Sequence, residues 1–148
     1  MIKHIITILM VFSPINSNSQ SRIFQGKVID DLYLEPVIFA DIFVNDSIKV
    51  GRTGLDGCFQ FETSLPVKKL IFTDADKENA ELQLSENCNY IELIMVSWPY
   101  RCFMSLRKIN KERRKLYKNL PRLHKEAYEK GIFQSPDVCY IQEFYEFE

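Results

Sequence analysis

The chain has 148 residues, of which 46% are apolar and 26% are charged, a composition typical of one ordinary globular domain with a small appendage. Nineteen basic side chains nearly balance twenty acidic ones, so the net charge of −1 predicts no general attraction for nucleic acid.

Residues 1–19 have the layout of a secretory signal peptide. A short basic start is followed by the apolar run 5–12, and Ser17 and Ser19 provide the small side chains of a cleavage site before Gln20. The alternative is a buried N-terminal strand. The apolar run is too short to span a bilayer, and no later stretch approaches the roughly twenty residues required. We therefore expect an exported protein of the periplasm or cell envelope that is not transmembrane once the signal peptide is removed.

After residue 20, short stretches of alternating apolar and polar side chains are separated by clusters of Gly, Pro, Asn and Asp, a pattern typical of β-strands. Asp56-Gly57 is a strong hairpin signal because a tight turn needs backbone angles that both residues tolerate. Seven short strands at this spacing predict a β-sandwich over residues 20–99. The predicted strands are 22–29, 37–44, 47–52, 58–62, 68–73, 81–84 and 90–96.

Two of these strands carry more specific expectations. In 37–44, every second residue from Ile38 to Val44 is expected to face the core. Strand 90–96 is nearly continuous in apolar character, which predicts a central strand with neighbours on both edges.

Three segments of the predicted sandwich resemble the carboxypeptidase regulatory-like domain family. They are Gly26-Lys27-Val28-Ile29-Asp30, the stretch from Glu35 through Ala40 to Val44, and the stretch from Gly51 through Asp56-Gly57 to Phe61. The chain departs from the family pattern at Gly54, where Asp or Asn is usual.

The resemblance spans residues 22–97 and implies a transthyretin-like, seven-stranded Greek-key sandwich, common in exported proteins of the Bacteroidetes type. It also implies a module that is not itself catalytic and that accompanies peptidase domains or outer-membrane transporters. The motif residues then have structural roles: Gly26, Pro36, Ala40, Thr53, Asp56, Gly57 and Phe59.

The rest of the sequence offers no recognisable catalytic centre, cofactor motif or metal site. His124 is the one histidine after residue 19, it lies outside any HExxH spacing, and it is expected to be a solvated helix side chain. Asp74-Ala75-Asp76 lacks the further oxygen ligands of a calcium loop and is expected to be a polar turn. No nucleophile elbow, P-loop or dinucleotide motif is present. The alternative is an enzyme of unrecognised type.

The four cysteines are too far apart for a metal knuckle or redox motif. In an exported protein they can form two disulfides in three pairings, and we favour Cys102 with Cys139. The alternative is four small buried thiols, including Cys58 and Cys88.

Charge shifts abruptly after Pro99. Residues 20–99 hold seven basic and thirteen acidic side chains, whereas residues 100–130 hold eleven and three, so the two parts should attract each other. Apolar residues at helical spacing, interrupted by Arg113, predict an amphipathic helix, with a second short helix starting at Pro121 and stopping at Gly131. The residues predicted to contact a partner or an anionic surface are Lys111, Arg113, Arg114, Lys115 and Lys118. The alternative is a solvated helix face.

The end of the C-terminal segment 100–148 alternates again over 138–147, which predicts one more strand that either packs on the core or marks a partner site. We therefore predict a non-catalytic binding or structural module of the cell envelope. It would present loops, a free edge strand or the basic helix to an unknown envelope protein or an anionic surface.

Overall fold

The computed structural model describes residues 21–99 and 103–148, so the predicted signal peptide and Cys102 lie outside the described residues. The described part is mainly β, with eight strands in two sheets and one helix. In chain order the elements are β1 (Arg22–Asp30), β2 (Asp41–Val44), β3 (Ile48–Arg52), β4 (Cys58–Thr63), β5 (Lys69–Thr73), β6 (Ala80–Leu84), β7 (Tyr90–Met95), α1 (Leu106–Glu129) and β8 (Tyr140–Gln142).

The strands form a three-stranded sheet of order β4-β1-β7 and a five-stranded sheet of order β3-β2-β5-β6-β8. β1 pairs antiparallel with β4 and parallel with β7, and every pairing in the larger sheet is antiparallel. Strands β1 to β7 fall on the seven predicted segments. β8 lies within residues 138–147, where one more strand was predicted, so the structure describes eight strands rather than seven.

The main core lies between the two sheets, because alternate residues of each strand point inward. Phe24 and Leu93 from the smaller sheet meet Phe72 and Leu82 from the larger one, and all four are fully buried. Burying each such side chain contributes about 1.5–3 kcal/mol. The close β1–β7 approach requires Gly26, since a Cβ there would lie 1.8 Å from the Ile91 carbonyl oxygen.

The start of β2 differs from the prediction. The strand begins at Asp41 rather than at residue 37, because Phe39 has a φ of +58°, which turns the chain before the ladder begins. Ile38 is therefore 46% exposed instead of facing the core, whereas Ala40 and Ile42 are fully buried as expected.

The prediction that β7 is central is wrong, since β7 is an edge strand of the smaller sheet. Its continuous burial has another cause. Its outward-facing Ile94 packs with Ile29 of β1 against Leu123, Ala127 and Phe133, so α1 and the loop after it form a third layer on that sheet. In the described part of the chain, no helix is both long enough and apolar enough to cross a membrane.

Pro121 does not start a second helix, because α1 runs unbroken through it to Glu129. A proline inside a helix removes one backbone hydrogen bond and costs about 3 kcal/mol. Here, tertiary contacts offset that cost on both sides: Arg113 is buried before the proline, and Leu123 and Ala127 are buried after it.

The favoured Cys102–Cys139 pairing is wrong, because Cys139 forms its disulfide with Cys88, 51 residues away in sequence. The reason is the β6–β8 ladder, in which Leu84 is opposite Tyr140. The antiparallel register brings the residues that follow β6 beside those that precede β8. Cys58 is a free thiol and is exposed rather than buried.

Candidate functional site

The family-like turn motif fastens two loops together. The buried Thr53 hydroxyl donates a hydrogen bond to the Val37 carbonyl (2.7 Å) and accepts one from the Ala40 amide (2.8 Å). The Asp56 carboxylate accepts a hydrogen bond from the Cys58 amide (3.0 Å). The two Thr53 bonds fix the β1–β2 loop against the β3–β4 hairpin, and the Asp56 bond closes the hairpin turn itself.

The other motif residues occupy close-packed positions. Gly57 has a φ of +73°, and a Cβ there would lie 2.4 Å from the Val28 carbonyl oxygen and 3.1 Å from the Pro36 Cβ. Phe59 is 6% exposed and meets Phe72 edge-on at 5.3 Å between ring centroids. The motif therefore builds the fold, and the candidate site lies elsewhere, on α1.

Three residues of the predicted basic cluster share one exposed face of α1. Lys111, Lys115 and Lys118 are exposed, and Arg122 and Lys125 continue the same face because steps of three or four residues return to one side of a helix. We call these five residues the basic stripe. It is about 21 Å long at 1.5 Å per residue. It lies opposite the buried side of the helix.

The two remaining residues of the cluster are not part of the basic stripe. Arg114 is exposed and pairs with Glu146 of the tail, as we call residues 143–148 after β8. Arg113 is only 4% exposed, so it does not reach an external anionic surface, contrary to the prediction. A charged residue can stand within the apolar helical pattern here because Arg113 has a partner inside the protein.

That partner is Glu78, which lies in the β5–β6 connection and is 2% exposed. Arg113 Nε donates to one carboxylate oxygen at 2.6 Å and a terminal nitrogen donates to the other at 2.9 Å. The Tyr117 hydroxyl also donates to Glu78, at 3.3 Å. This buried, bidentate pair connects α1 to the sheets. Within the described residues, it is the one ion pair between α1 and residues 21–99, which we call the sheet domain.

Arg113 also holds the tail. A guanidinium nitrogen donates to the Tyr145 carbonyl at 2.6 Å, and the guanidinium carbon lies 3.7 Å from the Phe147 ring centroid. The Asn110 amide exchanges two hydrogen bonds of 3.0 Å with the Phe147 backbone. Residues 145–147 are therefore bound to the first half of α1.

A pocket of about 500 Å³ lies between α1 and this tail. Its walls include Ile94 from β7, Leu120 and His124 from α1, and Tyr140 and Phe144 from β8 and the tail. The pocket exists because the tail is joined to α1 at one end and to the sheets at the other, through β8 and the disulfide.

Polar groups in the pocket walls bind other parts of the protein. The Tyr140 hydroxyl donates to the Glu92 carbonyl (2.6 Å), and the Gln142 amide donates to the Ile94 carbonyl (3.2 Å). These two bonds also cap the outer edge of β7. Burial, reinforced by Glu92, raises the pKa of Tyr140, so its hydroxyl stays protonated and uncharged near neutral pH.

His124 is not the solvated side chain that was predicted. It is 4% exposed, its ring lies 4.8 Å from that of Phe133, and Nε2 is 3.1 Å from the Ser135 carbonyl oxygen. Burial lowers the pKa of His124, which favours the neutral imidazole. The nearby Glu92 carboxylate accepts hydrogen bonds from the Gln134 and Ser135 amides, which anchors the loop after α1.

Sequence reasoning missed Glu78, Tyr140 and the pocket. The available signal was Arg113, since a charge inside an apolar helical stripe requires a buried partner. Nothing in a linear pattern identified that partner, because Glu78 lies in a polar connection 35 residues away.

The described residues contain no group of three or more His, Cys, Asp or Glu side chains placed to hold a metal ion. At the predicted polar turn, the Asp74 carboxylate accepts a hydrogen bond from the Asp76 amide at 2.9 Å. Comparison with protein-family models and with curated proteins gives no match to this chain.

Proposed function

We propose that this protein is a non-catalytic binding module of the cell envelope that presents the basic stripe of α1 to an anionic lipid surface. The observation that carries this proposal is the position of the five basic side chains. They share one exposed face of α1, opposite the side that packs on the sheets.

The charges of the basic stripe are not used to hold the helix in place. Arg113, which is not part of the stripe, makes the ion pair to the sheet domain. Lys115, Arg122 and Lys125 have only short-range partners one turn away on α1 itself. Such exposed pairs are weak, so the stripe keeps a positive field toward solvent.

The support behind the basic stripe is rigid. Contacts hold α1 along its length. Arg113 pairs with Glu78, Asn110 binds the tail, and Leu123 and Ala127 pack on the smaller sheet. Binding through the stripe therefore needs little ordering of the backbone. Each Lys or Arg near an anionic membrane contributes about 1 kcal/mol, and this attraction weakens as salt screens it.

The proposal includes export and a carboxypeptidase regulatory-like, Greek-key sandwich. The residues that resemble the family support the fold assignment. The Cys88–Cys139 disulfide supports an oxidising compartment, because cytosolic thiols are kept reduced. The intact mass of the protein recovered from the envelope tests export: loss of residues 1–19 supports it, and a retained Met1 contradicts it.

Other elements are less suited to the anionic surface. The β7 edge is covered by the side chains of Tyr140 and Gln142. The exposed side chains of the β1–β2 loop include Tyr33 and Phe39, which bring no positive charge. Of the three surfaces predicted from sequence, the basic helix is therefore the one with charge complementarity to an anionic partner.

Co-sedimentation with phosphatidylglycerol-containing vesicles tests the basic stripe. We expect binding at low salt, loss of binding at high salt, and no binding to pure phosphatidylcholine vesicles. The double variant Lys111→Glu/Lys115→Glu should lose most of the binding, because it reverses two charges of the stripe.

The matched control is Lys49→Glu/Lys68→Glu, which changes the net charge equally on the sheet domain. It should bind like the unaltered protein. Absence of binding at low salt, or equal loss in both double variants, refutes the lipid-surface proposal. Binding to an acidic protein without binding to vesicles would also contradict it.

A further inference from the structure

The pocket between α1 and the tail has the size and wall chemistry of a ligand site. Its volume of about 500 Å³ falls within the roughly 300–1,000 Å³ typical of small-molecule pockets. Apolar surface comes from β7, α1, the segment before β8 and the tail, through Ile94, Leu120, Val138 and Phe144. A ligand there would therefore contact β7, α1 and the tail.

The polar groups of the walls leave few hydrogen-bonding positions for a polar ligand. The hydroxyls of Tyr117 and Tyr140 and the amide of Gln142 already donate to partners inside the protein. His124 Nε2 is bonded to the Ser135 carbonyl, and burial keeps the ring neutral by lowering its pKa. The interior of the pocket is thus suited to a hydrocarbon chain.

The helical wall of the pocket is positively charged. Lys118 belongs both to the pocket lining and to the basic stripe, and it has no ion pair within the described residues. Arg114 lines the same wall and pairs with Glu146. The opposite wall carries one acid, Asp137. An anionic group is therefore favoured at the α1 side of the pocket, beside Lys118.

The walls are formed before any ligand binds. The Arg113–Glu78 pair fixes α1, and the Cys88–Cys139 disulfide fixes the segment that leads into β8. A preformed pocket avoids the entropic cost of ordering its walls on binding.

We propose that this pocket binds a single-chain anionic amphiphile, with the hydrocarbon chain between α1 and the tail and the anionic group at Lys118. This site goes beyond the proposed surface binding, since it takes a monomeric ligand and depends on the pocket rather than on the stripe as a whole. A fatty carboxylate and an alkyl phosphate share the required chemistry.

Isothermal titration calorimetry with octanoate, decanoate and dodecanoate, each below its micelle concentration, tests the apolar part. Each added pair of methylenes should tighten Kd about fifteenfold, because burying one methylene contributes about 0.8 kcal/mol. The gain should stop once the chain fills the pocket. Val138→Trp, which places a large ring at the pocket wall, should weaken dodecanoate binding at least tenfold.

Head-group probes of equal chain length test the charge. Dodecanoate and dodecyl phosphate identify which anion is preferred, and dodecyltrimethylammonium should bind at least tenfold more weakly than either. Lys118→Ala should weaken dodecanoate binding about fivefold, whereas Asp137→Asn should leave it unchanged or tighter. Lys108→Ala is the matched control, since Lys108 is exposed on α1 and does not line this pocket.

Circular dichroism and thermal melting establish whether each variant is folded. If Val138→Trp does not fold, Lys118→Ala still tests the proposal. No saturable binding of any probe overturns the proposal, as does equal binding of the cationic probe. The Lys111→Glu/Lys115→Glu variant separates the two proposals. It should lose vesicle binding and keep dodecanoate binding, so either proposal can fail without the other.

Discussion

The buried Arg113–Glu78 pair offers the sharpest test of how α1 is held. Arg113 is 4% exposed and Glu78 is 2% exposed, so neither charge can regain water if its partner is removed. Replacing Glu78 by Leu leaves a buried guanidinium without a counter-ion. Replacing Arg113 by Met leaves a buried carboxylate and also removes the donor to the Tyr145 carbonyl.

Removal of one member of a buried pair costs about 3–5 kcal/mol. We therefore expect each single variant to lose about that much free energy of unfolding, with Arg113→Met the larger because it also frees the tail. The double variant Glu78→Leu/Arg113→Met buries no unpaired charge. Its loss is compared with the single losses of Glu78→Leu and Arg113→Met, and it should be more stable than their sum predicts by about 2–3 kcal/mol.

Urea unfolding followed by circular dichroism measures all the free energies of this cycle. The exposed Arg122–Glu126 pair, 3.2 Å between charged atoms, is the matched control and should show no measurable coupling. Single losses below about 1 kcal/mol, or a double variant with strictly additive loss, would refute the reasoning that this pair is desolvated and coupled.

Three further predictions concern stability. Pro121→Ala should stabilise the protein by about 2 kcal/mol, since it restores a helical donor, whereas Arg122→Ala should change little; no gain in urea midpoint would contradict this. Replacing Cys88 and Cys139 by Ser should cost about 4 kcal/mol, because the disulfide spans 51 residues, and an unchanged melting temperature would argue against it. Burial lowers the pKa of His124 below 6.5, so as the pH falls the unfolded chain binds a proton at this residue before the folded chain does. The free energy of unfolding should therefore fall as the pH drops below about 6.5. The variant His124→Gln should remove that part of the pH profile.

Local sequence determined the strands and the hairpin. Two-residue alternation depends on neighbours in the chain, so each of the seven predicted segments overlaps one of β1 to β7, although β2 starts later than predicted. Gly57 has a φ of +73°, the left-handed backbone angle that its own hairpin turn requires. The exposed basic face of α1 was also readable, because residues three or four apart share one side of any helix.

The tertiary structure alone decided which distant residues meet. The β6–β8 register paired Cys139 with Cys88, and packing on the sheets carried α1 through Pro121. The docking of α1 on the sheets buries His124 and brings Arg113 of α1 to Glu78 of the β5–β6 connection. Helical and strand periodicities describe which face a residue occupies, but the burial of a charge and the shape of a pocket depend on what the fold places against that face.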